Sequence, residues 1–165
     1  MEIKKIKHED IEEVLRIYHQ GILTGCATFQ TEVPSADEWD KAHLQFGRLK
    51  AVDHTGRMLG WVALSPTSSR CVYKGVVELS IYVAEEARRT GVGEELIQAV
   101  IKESERNGIW TLQSAILEIN RASIALHKKC KFREIGYRER VAKDCDGIWR
   151  NVVLMEKRSQ STEFQ

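Results

Sequence analysis

Hydrophobic and polar positions change period several times along this chain, and each change marks an element. Residues 2–7 place Ile3 and Ile6 among lysines in a weak alternation, which reads as a first strand. From about Asp10 the apolar positions Ile11, Val14, Leu15, Tyr18 and Ile22 share one helical face, and Gly21 and Gly25 are expected to end that helix. Thr24 to Glu32 has no period and reads as a loop. After Pro34, the run Ser35-Ala36-Asp37-Glu38 has the spacing of a capping box, so a second helix is expected from Ser35 to about Gly47. Leu49 to Asp53 and Met58 to Leu64 read as strands joined by a tight turn at His54-Thr55-Gly56. Ser65 to Lys74 is a polar loop.

The second half is patterned more strictly. Leu79, Ile81 and Val83 alternate with Glu78, Ser80 and Tyr82, the period of a pleated strand. Leu96, Ile97, Val100 and Ile101 then predict a long helix from about Val92 to Asn107, closed by Gly108. Trp110 to Leu117 reads as the next strand, and Asn120 can cap a short helix containing Ile124, Leu126, His127 and Cys130. Phe132 to Val141 and Ile148 to Glu156 form a last pair around Asp144-Cys145-Asp146-Gly147. The order is β-α-α-β-β-β-α-β-α-β-β. Hairpins imply antiparallel pairing in the first half, and the helical crossover implies one parallel neighbour. The expected class is α/β (α+β), a mixed central sheet of about seven strands with helices on both faces. Residues 1–157 are expected to form a single domain and residues 158–165 a polar, frayed tail.

Composition narrows the partners. A formal net charge of +1 gives no reason to expect a nucleic-acid surface, and the Lys128-Lys129 and Arg138 to Arg140 clusters read as solvated faces. Cys26, Cys71, Cys130 and Cys145 form no Cys-x-x-Cys pair and the histidines no metal-binding spacing, so no metal is expected. No apolar run approaches a membrane span and the N-terminus shows alternating charge, so a cytoplasmic protein with free thiols and no membrane partner is expected.

The candidate chemistry sits where the strand from Glu78 gives way to the long helix, at Arg88-Arg89-Thr90-Gly91-Val92-Gly93-Glu94. Glycines let the N–H groups of Gly91, Val92 and Gly93 face one concavity, the helix start adds unpaired donors and a positive dipole end, and two arginines add charge. Such a turn holds a phosphate or pyrophosphate. No Gly-Lys-Ser or Gly-Lys-Thr is present, which excludes a P-loop, and Leu96 follows where a dinucleotide fingerprint needs a third glycine. Arg-x-x-Gly-x-Gly after a strand remains.

That motif resembles the coenzyme A pyrophosphate loop of the GCN5-related N-acetyltransferases, and the element order of nearly the whole chain is similar to theirs. Within that superfamily the chain resembles the phosphinothricin N-acetyltransferase-like subfamily, which includes methionine sulfoxide and sulfoximine acetyltransferases. Three further segments carry the likeness: Thr28-Phe29-Gln30-Thr31-Glu32 with Trp39, Arg70-Cys71-Val72-Tyr73, and Asn120-Arg121-Ala122-Ser123-Ile124-Ala125-Leu126-His127. The resemblance implies an acetyl-CoA-dependent N-acetyltransferase without metal, acting as a homodimer on the primary amine of a small amino-acid-like substrate.

It implies roles as well. Glu78 matches the general base, although a strand carboxylate paired with Lys74 or Arg70 is the plain alternative. His127 matches the group placed near the departing thiolate. The backbone of Ile81, Tyr82 and Val83 would hold the pantetheine arm and the oxyanion. Arg88, Arg89, Thr90, Gly91, Val92, Gly93, Glu94, Asn120 and Ser123 would bind the rest of the coenzyme. Phe29, Glu32, Arg70, Tyr73 and Ser80 would face the acceptor. Thr67 and Ser68 stand where subfamily members often carry a basic residue and an aromatic, which leaves Arg70 as a lone cation and argues against phosphinothricin itself. Two other readings stay open: a protein or peptide N-acetyltransferase, which needs an open groove, and an acetyl-CoA-binding regulatory module without turnover.

Overall fold

Seven strands form one sheet in the spatial order β1-β2-β3-β4-β5-β7-β6 among the described residues, 1–164, of this computed structural model. They are β1 (Glu2–Lys5), β2 (Leu49–Val52), β3 (Met58–Pro66), β4 (Val76–Val83), β5 (Thr111–Leu117), β6 (Arg133–Lys143) and β7 (Trp149–Arg158). The helices are α1 (Ile11–Leu23), α2 (Ala36–Ala42), α3 (Val92–Arg106) and α4 (Arg121–Lys129), with single 3-10 turns between elements. β4 and β5 pair in parallel, and the other neighbours are antiparallel. The crossover through α3 dictates this, because a parallel return needs a long connection.

The apolar stripes named from the sequence meet on the sheet. Val14 and Ile17 of α1 are fully buried, as are Trp61, Val62 and Leu64 of β3 and Leu96, Ile97 and Val100 of α3. The capping box at α2 is formed: the Glu38 N–H donates to Ser35 Oγ at 3.2 Å and the Ser35 N–H to Glu38 Oε2 at 2.7 Å.

Three expectations are corrected. Gly21 does not end α1 but lies buried inside it, because the Tyr82 ring packs there; an added Cβ would come within 2.5 Å of Tyr82 Cδ1. α2 stops at Ala42 rather than near Gly47, since His43 turns extended and the Leu44 N–H donates to Leu64 O at 2.8 Å. A β3 carbonyl competes there with helix propagation and wins. The end of the chain is tied down rather than frayed at its start: the Ser159 N–H donates to Trp110 O at 2.8 Å and Ser159 Oγ to Glu105 at 2.5 Å.

The feature that positions the site is a parting of strands. The β4–β5 ladder pairs Val76, Val77 and Glu78 with Thr111, Leu112 and Gln113, and then stops. From Leu79 and Ser114 onward the two strands run without pairing, while β3 still holds β4 to Val83 and β7 holds β5 to Leu117.

Candidate active site

The parted strands open a cleft of about 430 Å³ through the middle of the sheet. Leu79 to Tyr82 line it from β4 and Ser114 to Leu117 from β5. Phe29 and Gln30, on the loop after α1, close it on one face; Ser123 and His127 of α4, with Asn120 at its cap, lie on the other. A molecule in this cleft touches both faces of the sheet at once.

Backbone direction follows from the β3–β4 register. The Ala84 N–H donates to Leu59 O at 2.9 Å, and in an antiparallel pair alternate residues point their amides to the same neighbour. Tyr82, Ser80 and Glu78 therefore direct their backbone groups toward β3, and Ile81 and Val83 direct theirs toward the missing partner, into the parting. These free amides and carbonyls are built to pair with an extended, amide-bearing ligand or to donate to a developing oxyanion.

Glu78 stands where the ladder ends, at the mouth of the cleft. Among the described residues its carboxylate has no ion pair and no hydrogen bond, so the pairing with Lys74 or Arg70 is not formed. The residue remains open to solvent, yet the crowding of protein around the carboxyl raises its pKa above the usual carboxylate value. An unpaired carboxylate of raised basicity beside a cleft can accept a proton.

His127 lies at the α4 side of the cleft with both ring nitrogens engaged. It is fully buried, Nδ1 lies 2.8 Å from Ser123 O, and Nε2 lies 3.0 Å from Ser114 Oγ. A carbonyl accepts only, so Nδ1 carries the proton and Nε2 accepts from the Ser114 hydroxyl. Burial lowers the ring's pKa, which keeps it neutral. In this arrangement His127 holds no proton toward the cleft, and its ring fixes Ser114. Ser114 had no signal in the sequence, because a serine in an alternating strand is ordinary until the helix opposite is known.

The turn before α3 has the expected shape with one changed role. Gly91 is left-handed (φ 91°) with open space around it, and Arg89 is left-handed too (φ 63°). Among the described residues the N–H groups of residues 89–94 find no protein acceptor, and Arg88 and Arg89 are exposed without ion pairs. Thr90 Oγ1 donates to Ala87 O at 2.6 Å, and Glu94 pairs with Lys129 at 2.6 Å. Gly93 is buried instead of open: a Cβ there would sit 2.8 Å from Leu126 Cδ2, so its smallness serves the packing of α3 on α4. The free amides and the start of α3 fit a pyrophosphate.

A second cavity of about 430 Å³ adjoins the cleft and shares Tyr18, Gln30, Ser80 and Tyr82 with it. Glu32, Glu38, Trp39, His43 and Trp61 also line it. Tyr82 stacks on Trp61 with ring centroids 5.0 Å apart and meets Tyr18 edge-on at 4.7 Å. Burial, with Tyr18 beside it, raises the Tyr82 phenol far above its ordinary pKa, so the hydroxyl stays protonated.

Of the residues named from the sequence, the cleft gathers Phe29, Glu78, Ser80, Ile81, Tyr82, Asn120, Ser123 and His127, and the second cavity holds Glu32. Val83 lies just beyond, against Gly93. Arg70 and Tyr73 line neither; they sit on an exposed 3-10 turn, with the guanidinium 5.8 Å from the Tyr73 ring centroid. Asn120 caps α4, its Oδ1 accepting from the Ser123 N–H at 3.2 Å. Arg138 is exposed, as its charged cluster implies, and it also lines the cleft, for which the local sequence carries no signal.

Comparison with known proteins agrees with this geometry. The family model described as Acetyltransferase (GNAT) family matches residues 9–132. The L-methionine sulfoximine/L-methionine sulfone acetyltransferase of Pseudomonas paraeruginosa is 30% identical over 152 residues, 89% of this chain and 88% of that protein. Among solved structures, the ribosomal-protein-alanine N-acetyltransferase of Brucella melitensis superposes with a TM-score of 0.88 at 26% identity, covering 96% of this chain and all of that one. The phosphinothricin acetyltransferase of Sinorhizobium meliloti, solved in complex with AcCoA, has the same fold, with a TM-score of 0.88 at 24% identity over 99% of this chain and 91% of that one.

Proposed function

Since the chain belongs to the acetyltransferase (GNAT) family, we propose that it transfers the acetyl group of acetyl-CoA to the primary amine of a small amino-acid-like acceptor. The observation that carries this reading is Glu78, an unpaired carboxylate of raised pKa at the point where β4 and β5 part. The relative from Pseudomonas paraeruginosa acts on methionine derivatives and the Sinorhizobium meliloti protein binds AcCoA, which supports both substrates.

Each residue then has a task. The free amides before α3, with Arg88 and Arg89, hold the diphosphate, and Ile81 and Val83 pair along the pantetheine arm. The acetyl thioester supplies an electrophilic carbon. Glu78 removes the ammonium proton of the acceptor, directly or through water, so that nitrogen attacks with its lone pair. A β4 amide directed into the parting donates to the carbonyl oxygen as negative charge develops there. As the C–S bond breaks, one of the two protons left on the nitrogen passes to the sulfur and the other stays on the amide, a path that does not require His127. Phe29 and the loop after α1 cover the acceptor, and the second cavity receives its far end. This half-covered space suits a small molecule better than a long peptide.

The test is thiol release from acetyl-CoA across amino acids, sulfoximines, phosphinic analogues and peptides. Release is expected with amino-acid-like amines, and Glu78→Gln is expected to lower kcat by about a hundredfold or more. Binding of acetyl-CoA without thiol release from any acceptor would favour the regulatory module instead. We further propose a homodimer in the cytoplasm. Exposed Tyr137, Ile148 and Trp149 on the β6–β7 hairpin support a second copy, and no helix among the described residues is long and apolar enough to cross a membrane.

A further inference from the structure

The cleft is lined by two formally charged side chains, Glu78 of β4 and Arg138 of β6. Arg138 lies on β6, in register with Val152 of β7, which also lines the cleft. Immediately after it the strand loses its regular pairing: the register jumps between Arg138 and Ala142, and Arg140 takes a left-handed conformation (φ 47°). A bulge of this kind bends an edge strand and re-aims its side chains. The other arginines of this hairpin are engaged, Arg158 by donating to Trp110 O at 2.9 Å. Arg133 bonds Glu156 at 2.6 Å, Arg150 bonds Asp144 at 2.5 Å, and Arg140 approaches Glu139 at 3.5 Å. Arg138 alone among these arginines has no ion pair or side-chain hydrogen bond among the described residues.

We propose that Arg138 binds the α-carboxylate of the acceptor, so that the enzyme selects free α-amino acids over amines, amides and peptide N-termini. The inference rests on the acetyl-transfer reading above. A free α-amino acid carries an ammonium and a carboxylate one carbon apart, and the cleft offers one carboxylate and one guanidinium to match. A guanidinium grips a carboxylate through two parallel N–H···O bonds, which an amide or a bare amine cannot provide. The acceptor's side chain then extends into the second cavity, whose lining carries no lysine or arginine. Arg70, the cation expected from the sequence to meet an anionic group, lies outside both spaces.

The experiment compares methionine sulfone, its carboxamide and 3-(methylsulfonyl)propylamine as acceptors for thiol release. The free amino acid is expected to show a kcat/KM at least about tenfold above the other two. Arg138→Gln should raise its KM by about that factor, leave the KM for acetyl-CoA unchanged, and remove the preference; Arg138→Lys should restore part of it. Equal wild-type rates for amino acid and carboxamide would overturn the assignment, as would an Arg138→Gln effect that falls equally on all three acceptors or on acetyl-CoA. Calorimetric titration of the coenzyme A complex with methionine sulfone and its carboxamide reads the same preference without turnover. Absence of thiol release from every acceptor would therefore overturn the transfer reading alone, while equal binding of the two ligands would overturn the role of Arg138.

Discussion

Glu78 has a consequence for pH that separates catalysis from stability. Its carboxyl has a raised pKa in the folded protein because protein atoms replace water around it. As a base it must be ionised, so kcat/KM is expected to fall as pH drops through that raised value, at a higher pH than an ordinary glutamate would give. The stability effect has the opposite sense. Above the folded pKa the native state holds the charge in a poorer environment than the unfolded chain does; below the unfolded value, near 4.5, both states are protonated and the penalty vanishes. Glu78→Gln is therefore expected to melt at a slightly higher temperature than wild type at pH 7, and the gain should disappear at pH 4. A variant less stable at pH 7 would mean that the carboxylate has a partner in solution. His127 gives the contrasting case. Its neutral, doubly bonded ring predicts that His127→Gln costs stability and leaves the pH profile of kcat unmoved, whereas an acid for the thiolate would shift the basic limb.

At the scale of elements, the two glycines before and within α3 act by different physics. Gly91 has room for a side chain but a backbone that L-residues avoid; Gly91→Ala is expected to cost about 1 kcal/mol and to raise the KM for acetyl-CoA by distorting the free amides. Gly93 has an ordinary helical backbone and no room; Gly93→Ala is expected to cost about 1–3 kcal/mol by pushing Leu126 and α4 away. Urea unfolding and coenzyme A titration of the two variants distinguish these effects. The Ser35 cap is simpler: Ser35→Ala should lose about 1 kcal/mol in the same unfolding assay, with little change in kcat. Element existence was legible because periodicity and caps are local. The ends that moved, at Gly21 and after Ala42, were set by Tyr82 and by the Leu64 carbonyl, partners far away in sequence.

For the whole molecule, one hydrophobic core runs from α1 and β3 through α3 to Ile116 of β5, Ile124 of α4 and Met155 of β7, and it holds the two halves of the sheet together where β4 and β5 part. If the exposed apolar side chains of the β6–β7 hairpin meet a second copy, light scattering should give a mass twice the 18.9 kDa of one chain. Substituting Tyr137 and Trp149 by charged residues should then return it to one chain.

The order and kind of the elements, the strand–turn–helix around Gly91 and the place of Glu78 on its strand can be read from residues a few positions apart, since each depends on near neighbours. The parting of β4 and β5 after Glu78, the meeting of the His127 ring with Ser114, and the place of Arg138 at the cleft and Arg70 outside it come from long-range packing. Those outcomes depend on which strand edges lose their partners and which side chains then meet across the gap, a geometry that no local pattern carries.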